Sequence, residues 1–143
     1  MLQTVGSDRD NHGLRAQANS LESLTDARTD SRKHLLLAAS GSVATIKIPD
    51  IVKALAKHEG KLSIRIILTD AARHFLGGQS LEQPTVSSLL HLPNVDAVYD
   101  DAAEWGPHPW RRGASILHIE LRRWADIMVV APLSANTMAK VCR

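Results

Sequence analysis

The chain is poor in most of the residues that mark specialised chemistry. Cys142 is the only cysteine among 143 residues, which excludes an internal disulfide and a multi-cysteine zinc site. Three Trp, one Tyr and one Phe are all the aromatics present, so a core has to be assembled from Leu, Ile, Val and Ala. No apolar run approaches the roughly 20 residues of a membrane-spanning helix, and no stretch near Met1 reads as a secretory signal. Neither sign of charge dominates, with 17 Lys and Arg against 15 Asp and Glu. A nucleic-acid or anionic-membrane partner would require a basic excess that is missing. The Walker A loop and the Gly-rich dinucleotide fingerprint are absent as well. What remains is a single soluble domain of the reducing cytoplasm.

Hydrophobic residues make up 44% of the chain, a globular content, but they are unevenly placed. Residues 1–33 are polar, mixed in charge and without a sustained period, which predicts a disordered leader ahead of a domain over residues 34–143. Order is expected to begin at "HLLLAASGSVAT". Leu35–Ala39 is a continuous apolar run bounded by Ser40 and Gly41, as in a strand covered on both faces. Ala44, Ile48, Val52 and Leu55 then recur at helical spacing, with Pro49 predicting a kink or a separate first turn. "LSIRIILT" reads as a second strand and "DAARHFL" as a short helix. Between Gly77 and Pro109 the pattern weakens, and only "DAVYDD" suggests a third strand. The end is clear again: helix "HIELRRWA", strand "DIMVVAP", helix "SANTMAK". Such alternation predicts an α/β fold, a flavodoxin-like or Rossmann-like doubly wound parallel sheet.

Open parallel sheets bind ligands beyond the carboxyl ends of their strands. Three turns there are short, small and polar: "SGSVAT", "TDAA" and "APLSANT". Each opens a helix, where free N–H groups and the dipole favour an anion. Gly41 permits close backbone approach, and Ser42 and Thr69 offer hydroxyl donors, a set suited to a single phosphate. The competing assignment is that Ser42, Thr69 and Ser134 are helix N-caps. The histidines at 12, 34, 58, 74, 91 and 108 have no metal-ligand spacing. "HIE" matches the H-x-E of zinc deaminases, but their P-C-x-x-C is missing.

Taken together, "GSVATIKIP", "LTDAARHFL", "YDDAAEW", "LHIELRRWAD" and "APLSANTMAK" resemble the flavoprotein family of phosphopantothenoylcysteine decarboxylases and halotolerance proteins. The resemblance runs from about Leu35 to Lys140. It implies an FMN-binding domain, assembled as a trimer with identical or related chains. It maps the FMN phosphate to Gly41, Ser42 and Val43, with Thr69 also on the cofactor. Ser134, Ala135, Asn136 and Thr137 match a second flavin-binding turn, and His118 matches the catalytic histidine. The implied reaction oxidises the cysteine moiety of 4′-phosphopantothenoylcysteine, releases carbon dioxide and returns a hydride, giving 4′-phosphopantetheine for coenzyme A. A histidine in a first helical turn faces the positive dipole end, which suits the neutral imidazole of a base. Arg122 and Arg123 would act in the same sense, and Glu120 against it. Trp124 is expected as a core anchor rather than a flavin-stacking group.

The chain also departs from that family. The substrate-clamping P-A-M-N motif and the later proton-donating cysteine are missing, and Cys142 does not match that cysteine. "VCR" is therefore expected to mark a truncation, leaving an exposed sheet edge and a need for a partner. Two alternatives to the decarboxylase reading stand beside it: a phosphatase-inhibiting regulatory protein and a non-functional fragment.

Overall fold

The apolar run after Lys33 becomes the interior of a parallel sheet. The computed structural model describes Leu24, residues 27–105 and residues 109–143. In chain order these form β1 (Lys33–Ala39), α1 (Ile48–Ala54), β2 (Leu62–Leu68), α2 (Asp70–Arg73), α3 (Val86–Leu89) and β3 (Val95–Tyr99). There follow α4 (Asp101–Trp105), α5 (Leu117–Trp124), β4 (Ile127–Val130) and α6 (Ala135–Val141). The four strands lie in the order β3-β2-β1-β4 with every pairing parallel. This is the expected doubly wound class, in its Rossmann-like strand order. No helix among the described residues is long and apolar enough to cross a membrane.

Both faces of β1 are covered, which is why its sequence does not alternate. Leu35, Leu37 and Ala39 pack with Ile64, Ile66, Leu68 and, from α1, Ile48 and Val52. Leu36 faces the other way, onto Ala97, Tyr99, Leu117, Leu121 and Trp124. Pro49 lies in the first turn of α1, after a separate 3-10 turn over Val43–Lys47. An N–H is not required at that position, so the expected interruption carries no lost bond.

Two sequence expectations are corrected. "DAVYDD" is strand only to Tyr99; the Asp100 carboxylate instead accepts the Ala103 N–H at 3.0 Å and starts α4. The leader boundary at residue 33 is also too late. Ala27–Thr29 forms a 3-10 turn and Leu24 is buried with Trp124. Arg28 reaches Asp126 at 3.2 Å and also donates to the Arg123 carbonyl. The remaining leader residues lie outside the described part of the chain.

Trp124 is a core anchor, as expected, and is 1% exposed. Its ring lies 4.8 Å from that of His34, and the Arg65 guanidinium sits 4.6 Å from its centroid. Arg65 is itself buried and donates to the Tyr99 hydroxyl at 2.6 Å. His34 lies between two carboxylates, Asp30 at 3.1 Å and Asp126 at 3.4 Å. At the far side of the sheet β4 pairs with β1 alone among the described strands, and Ile127 and Met128 are 59% and 55% exposed.

The Asp126 carboxyl is held below its usual range, first by the His34 backbone N–H, which donates to it at 2.9 Å. The charges of His34, Arg28 and Lys33 add to this against a smaller opposing effect of burial. For Asp30, burial pushes upward, but hydrogen bonds from Arg32 and the charges of Arg32 and His34 outweigh it. Carboxyls depressed on folding contribute stability above their unfolded value of 3.8. That contribution is lost as pH falls through the lower folded values. Urea melts of Asp126→Asn should therefore show lower stability at neutral pH and a weaker dependence on pH in the acid range. An acid limb as steep as that of the unsubstituted protein would refute this assignment.

Candidate functional site

The strand order changes direction between β1 and β4, so the crevice beyond their carboxyl ends is where the fold opens for a ligand. Ser40, the first residue after β1, closes this point. Its Oγ donates to the Pro132 carbonyl at 3.0 Å and accepts the Ser134 N–H at 2.6 Å. The Ser40 N–H donates to the same carbonyl at 3.0 Å. The first and last polar turns are thereby joined by one buried side chain. Sequence reasoning treated Ser40 only as the end of a strand. Its single signal was a hydroxyl at the mouth of a doubly covered strand.

All three predicted hydroxyls are N-caps. Ser42 accepts the Ala44 N–H at 3.3 Å, Thr69 that of Ala72 at 3.1 Å, and Ser134 that of Thr137 at 3.2 Å. Capping uses a lone pair and leaves the hydroxyl proton free. Ser134 donates its proton to Thr137 Oγ1 at 3.0 Å, whereas those of Ser42 and Thr69 have no acceptor among the described residues. The Gly41 and Ser42 amides likewise donate to no acceptor among the described residues. Val43 is exposed at the lip of this turn, and Ala135 and Asn136 are exposed at the start of α6. Free amides and two undirected hydroxyls are the donor set that a phosphate accepts from.

Gly41 has a second reason to be glycine. A Cβ there would lie 2.5 Å from the Ala71 Cβ, so the first two turns touch where it stands. A separate cleft of about 470 Å3, lined in part by Arg73, His74, Thr85 and Ser87, contains none of the predicted residues.

α5 packs on the face of the sheet that carries Leu36, Ala97 and Tyr99. Leu117, Leu121 and Trp124 form its buried stripe, and Trp124 ends it against His34 at the start of β1. Its first turn, with His118, meets α4, the helix that follows the carboxyl end of β3. The His118 ring is largely exposed and its Nδ1 lies 2.6 Å from Glu104 Oε1 of α4. Glu104 was not anticipated, because the two residues are distant in sequence. Glu120, expected to act on His118, instead pairs with Arg123 at 3.0 Å. Cys142 is exposed at the end of α6.

A family model described as Flavoprotein matches residues 23–143. The chain belongs to the Flavoprotein family. A phosphopantothenoylcysteine decarboxylase of Oryza sativa subsp. japonica is 42% identical over 112 residues, covering 78% of this chain and 44% of that protein. A probable thymidylate synthase of Schizosaccharomyces pombe is 43% identical over 113 residues, 79% of this chain. That match spans 16% of the longer protein, too little for its name to bear on this chain. Among solved structures, the FMN-dependent cysteine decarboxylase SpaF is similar, with TM-score 0.57 and 25% identity. The match covers 78% of this chain and 55% of SpaF. The chain spans about half, or less, of the length of the relatives it matches. The family supports a flavin cofactor, and the free amides and hydroxyls after β1 and β2 fit one that carries a phosphate.

Ser40 makes two of the bonds that join the turns, so Ser40→Ala should leave the Ser134 amide without its acceptor. A loss of about 1–3 kcal/mol in denaturant unfolding is expected. Flavin affinity should fall as well, because the two turns would no longer be fixed relative to each other. Unchanged values of both quantities would remove Ser40 from the site's framework.

Proposed function

We propose that this chain provides the FMN-binding and histidine-bearing part of a cytoplasmic 4′-phosphopantothenoylcysteine decarboxylase of coenzyme A biosynthesis. The observation that carries the reading is the Ser40 bridge, which fixes two polar turns at the switch point, while His118 stands beside the helix that follows β3. In this reading Gly41, Ser42, Val43 and Thr69 hold the FMN phosphate. Ser134, Ala135, Asn136 and Thr137 line the second side of the flavin. When bound, FMN supplies the two-electron acceptor for oxidation of the substrate's cysteine moiety.

The chain's own contribution is positional and acid–base. Ser42 and Thr69 donate their unused hydroxyl protons to the phosphate while continuing to cap their helices. His118, at the open edge, accepts a proton from the substrate, the role of a general base. The reductive half of the reaction needs a proton donor that Cys142, at the far end of α6, does not provide. The exposed apolar strand β4 supports assembly with identical or related chains into a trimer.

The test separates cofactor from chemistry. FMN should bind the purified protein and colour it, and His118→Ala should retain FMN affinity. Anaerobic mixing with 4′-phosphopantothenoylcysteine, in an assembly with a full-length relative, should bleach the oxidised flavin. In the His118→Ala assembly the rate should drop by about 10²–10⁴-fold. Protein that binds no FMN, or a His118→Ala variant that bleaches at the original rate, would overturn the reading.

A further inference from the structure

We propose that Glu104 is the positioning residue for His118, holding its ring in the tautomer with the proton on Nδ1 and leaving Nε2 as the basic atom. This rests on the assignment of His118 as the base. The contact is short, 2.6 Å between Nδ1 and Oε1, and joins residues 14 apart in sequence. An ionised carboxylate can only accept a hydrogen bond. It therefore requires Nδ1–H, and the neutral ring is left with its lone pair on Nε2. This is the arrangement by which carboxylates orient catalytic histidines on unrelated folds.

Two further observations distinguish this pair from an incidental surface contact. Glu104 is well covered, with 23% of its side chain exposed against 71% for His118. The carboxylate is thus the more enclosed of the two groups and the ring the more exposed. α4 is also fastened in place: Asp100 caps it and holds Arg73 at 3.0 Å, and Arg73 belongs to the helical turn that Thr69 opens. Glu104 is consequently tied through Asp100 and Arg73 to the turn assigned to the cofactor. Glu120, the nearest other carboxylate in sequence, is engaged by Arg123 and does not compete.

Histidine 15N NMR on the whole chain reads the tautomer directly, at a pH where the ring is neutral. The unsubstituted protein should show His118 with Nδ1 protonated. Glu104→Ala and Glu104→Met should shift the population toward Nε2–H, while Glu104→Gln, whose amide oxygen still accepts, should retain Nδ1–H. In the flavin-bleaching assay the two non-accepting variants should lose about 10–100-fold in kcat with KM little changed, and Glu104→Gln should recover part of the loss. With the His118 ring largely exposed, the pair is worth little to folding, so both non-accepting variants should remain folded. Nε2–H in the unsubstituted protein, or Nδ1–H retained in the folded Ala or Met variant, would overturn the proposal. If the tautomer shifts as expected but His118→Ala stays active, the role of His118 as base fails and the pairing stands. If His118→Ala is inactive and the tautomer does not move, the positioning role alone fails.

Discussion

The site depends on the hydroxyl of Ser40. β1 pairs with β2 on one side and β4 on the other, and three turns are attached to its end. The Ala38 carbonyl accepts the Ala131 N–H at 2.8 Å, and the Ala39 carbonyl accepts that of Thr69 at 3.2 Å. Ser40 then links Pro132 and Ser134 through its side chain. The first two contacts continue the logic of a parallel ladder and need no particular side chain. The third does. The Ser40 N–H also reaches the Pro132 carbonyl, but the Ser134 amide beyond it is met by the side chain alone. The Ser40 carbonyl also accepts the Thr45 hydroxyl at 3.2 Å, which extends the same point of attachment into the turn before α1. The geometry of the polar turns is thus set by the end of one buried strand.

The opposite edge of the sheet sets the position of His118 less directly. α5 has eight residues, about 12 Å of helix at 1.5 Å per residue. Its lower end is fixed by Trp124 against His34 and Arg65, and by the carboxylate of Asp126 on the His34 amide. A rigid helix held at one end carries its other end with it. The charged groups around Trp124 therefore act on His118 through the axis of α5, while Glu104 acts on its ring. Helix position and ring orientation have separate causes, and only the second is a matter of local chemistry.

This division explains what was legible in the sequence. The covered strand, the interrupted helix at Pro49 and the stripe of Leu117, Leu121 and Trp124 are written in local patterns of burial. They follow from periodicity alone. The polar turns were legible because each lies immediately after a strand and carries a capping residue. Ser40, Glu104 and residues 27–33 were not, since what makes each important is a partner far away in the chain. Arg28 with Asp126, Ser40 with Ser134 and Glu104 with His118 leave no spacing to detect. α3 was missed for a different reason: Thr85 and Ser88 cap it reciprocally, and a helix of four residues has no room for a hydrophobic period.

Capping and ligand binding presented themselves in the sequence as competing explanations for Ser42, Thr69 and Ser134. The structure makes the first true of all three without displacing the second. A cap uses an oxygen lone pair on a helical N–H and leaves the hydroxyl proton uncommitted. At Ser42 and Thr69 this proton is left for a ligand. At Ser134 it is passed to Thr137, and a group lying at that turn must be met by the neighbouring side chains instead. The three similar turns are therefore chemically unequal. In the proposed site, the pair flanking β1 and β2 suits the phosphate and the turn after β4 suits the less charged part of the cofactor.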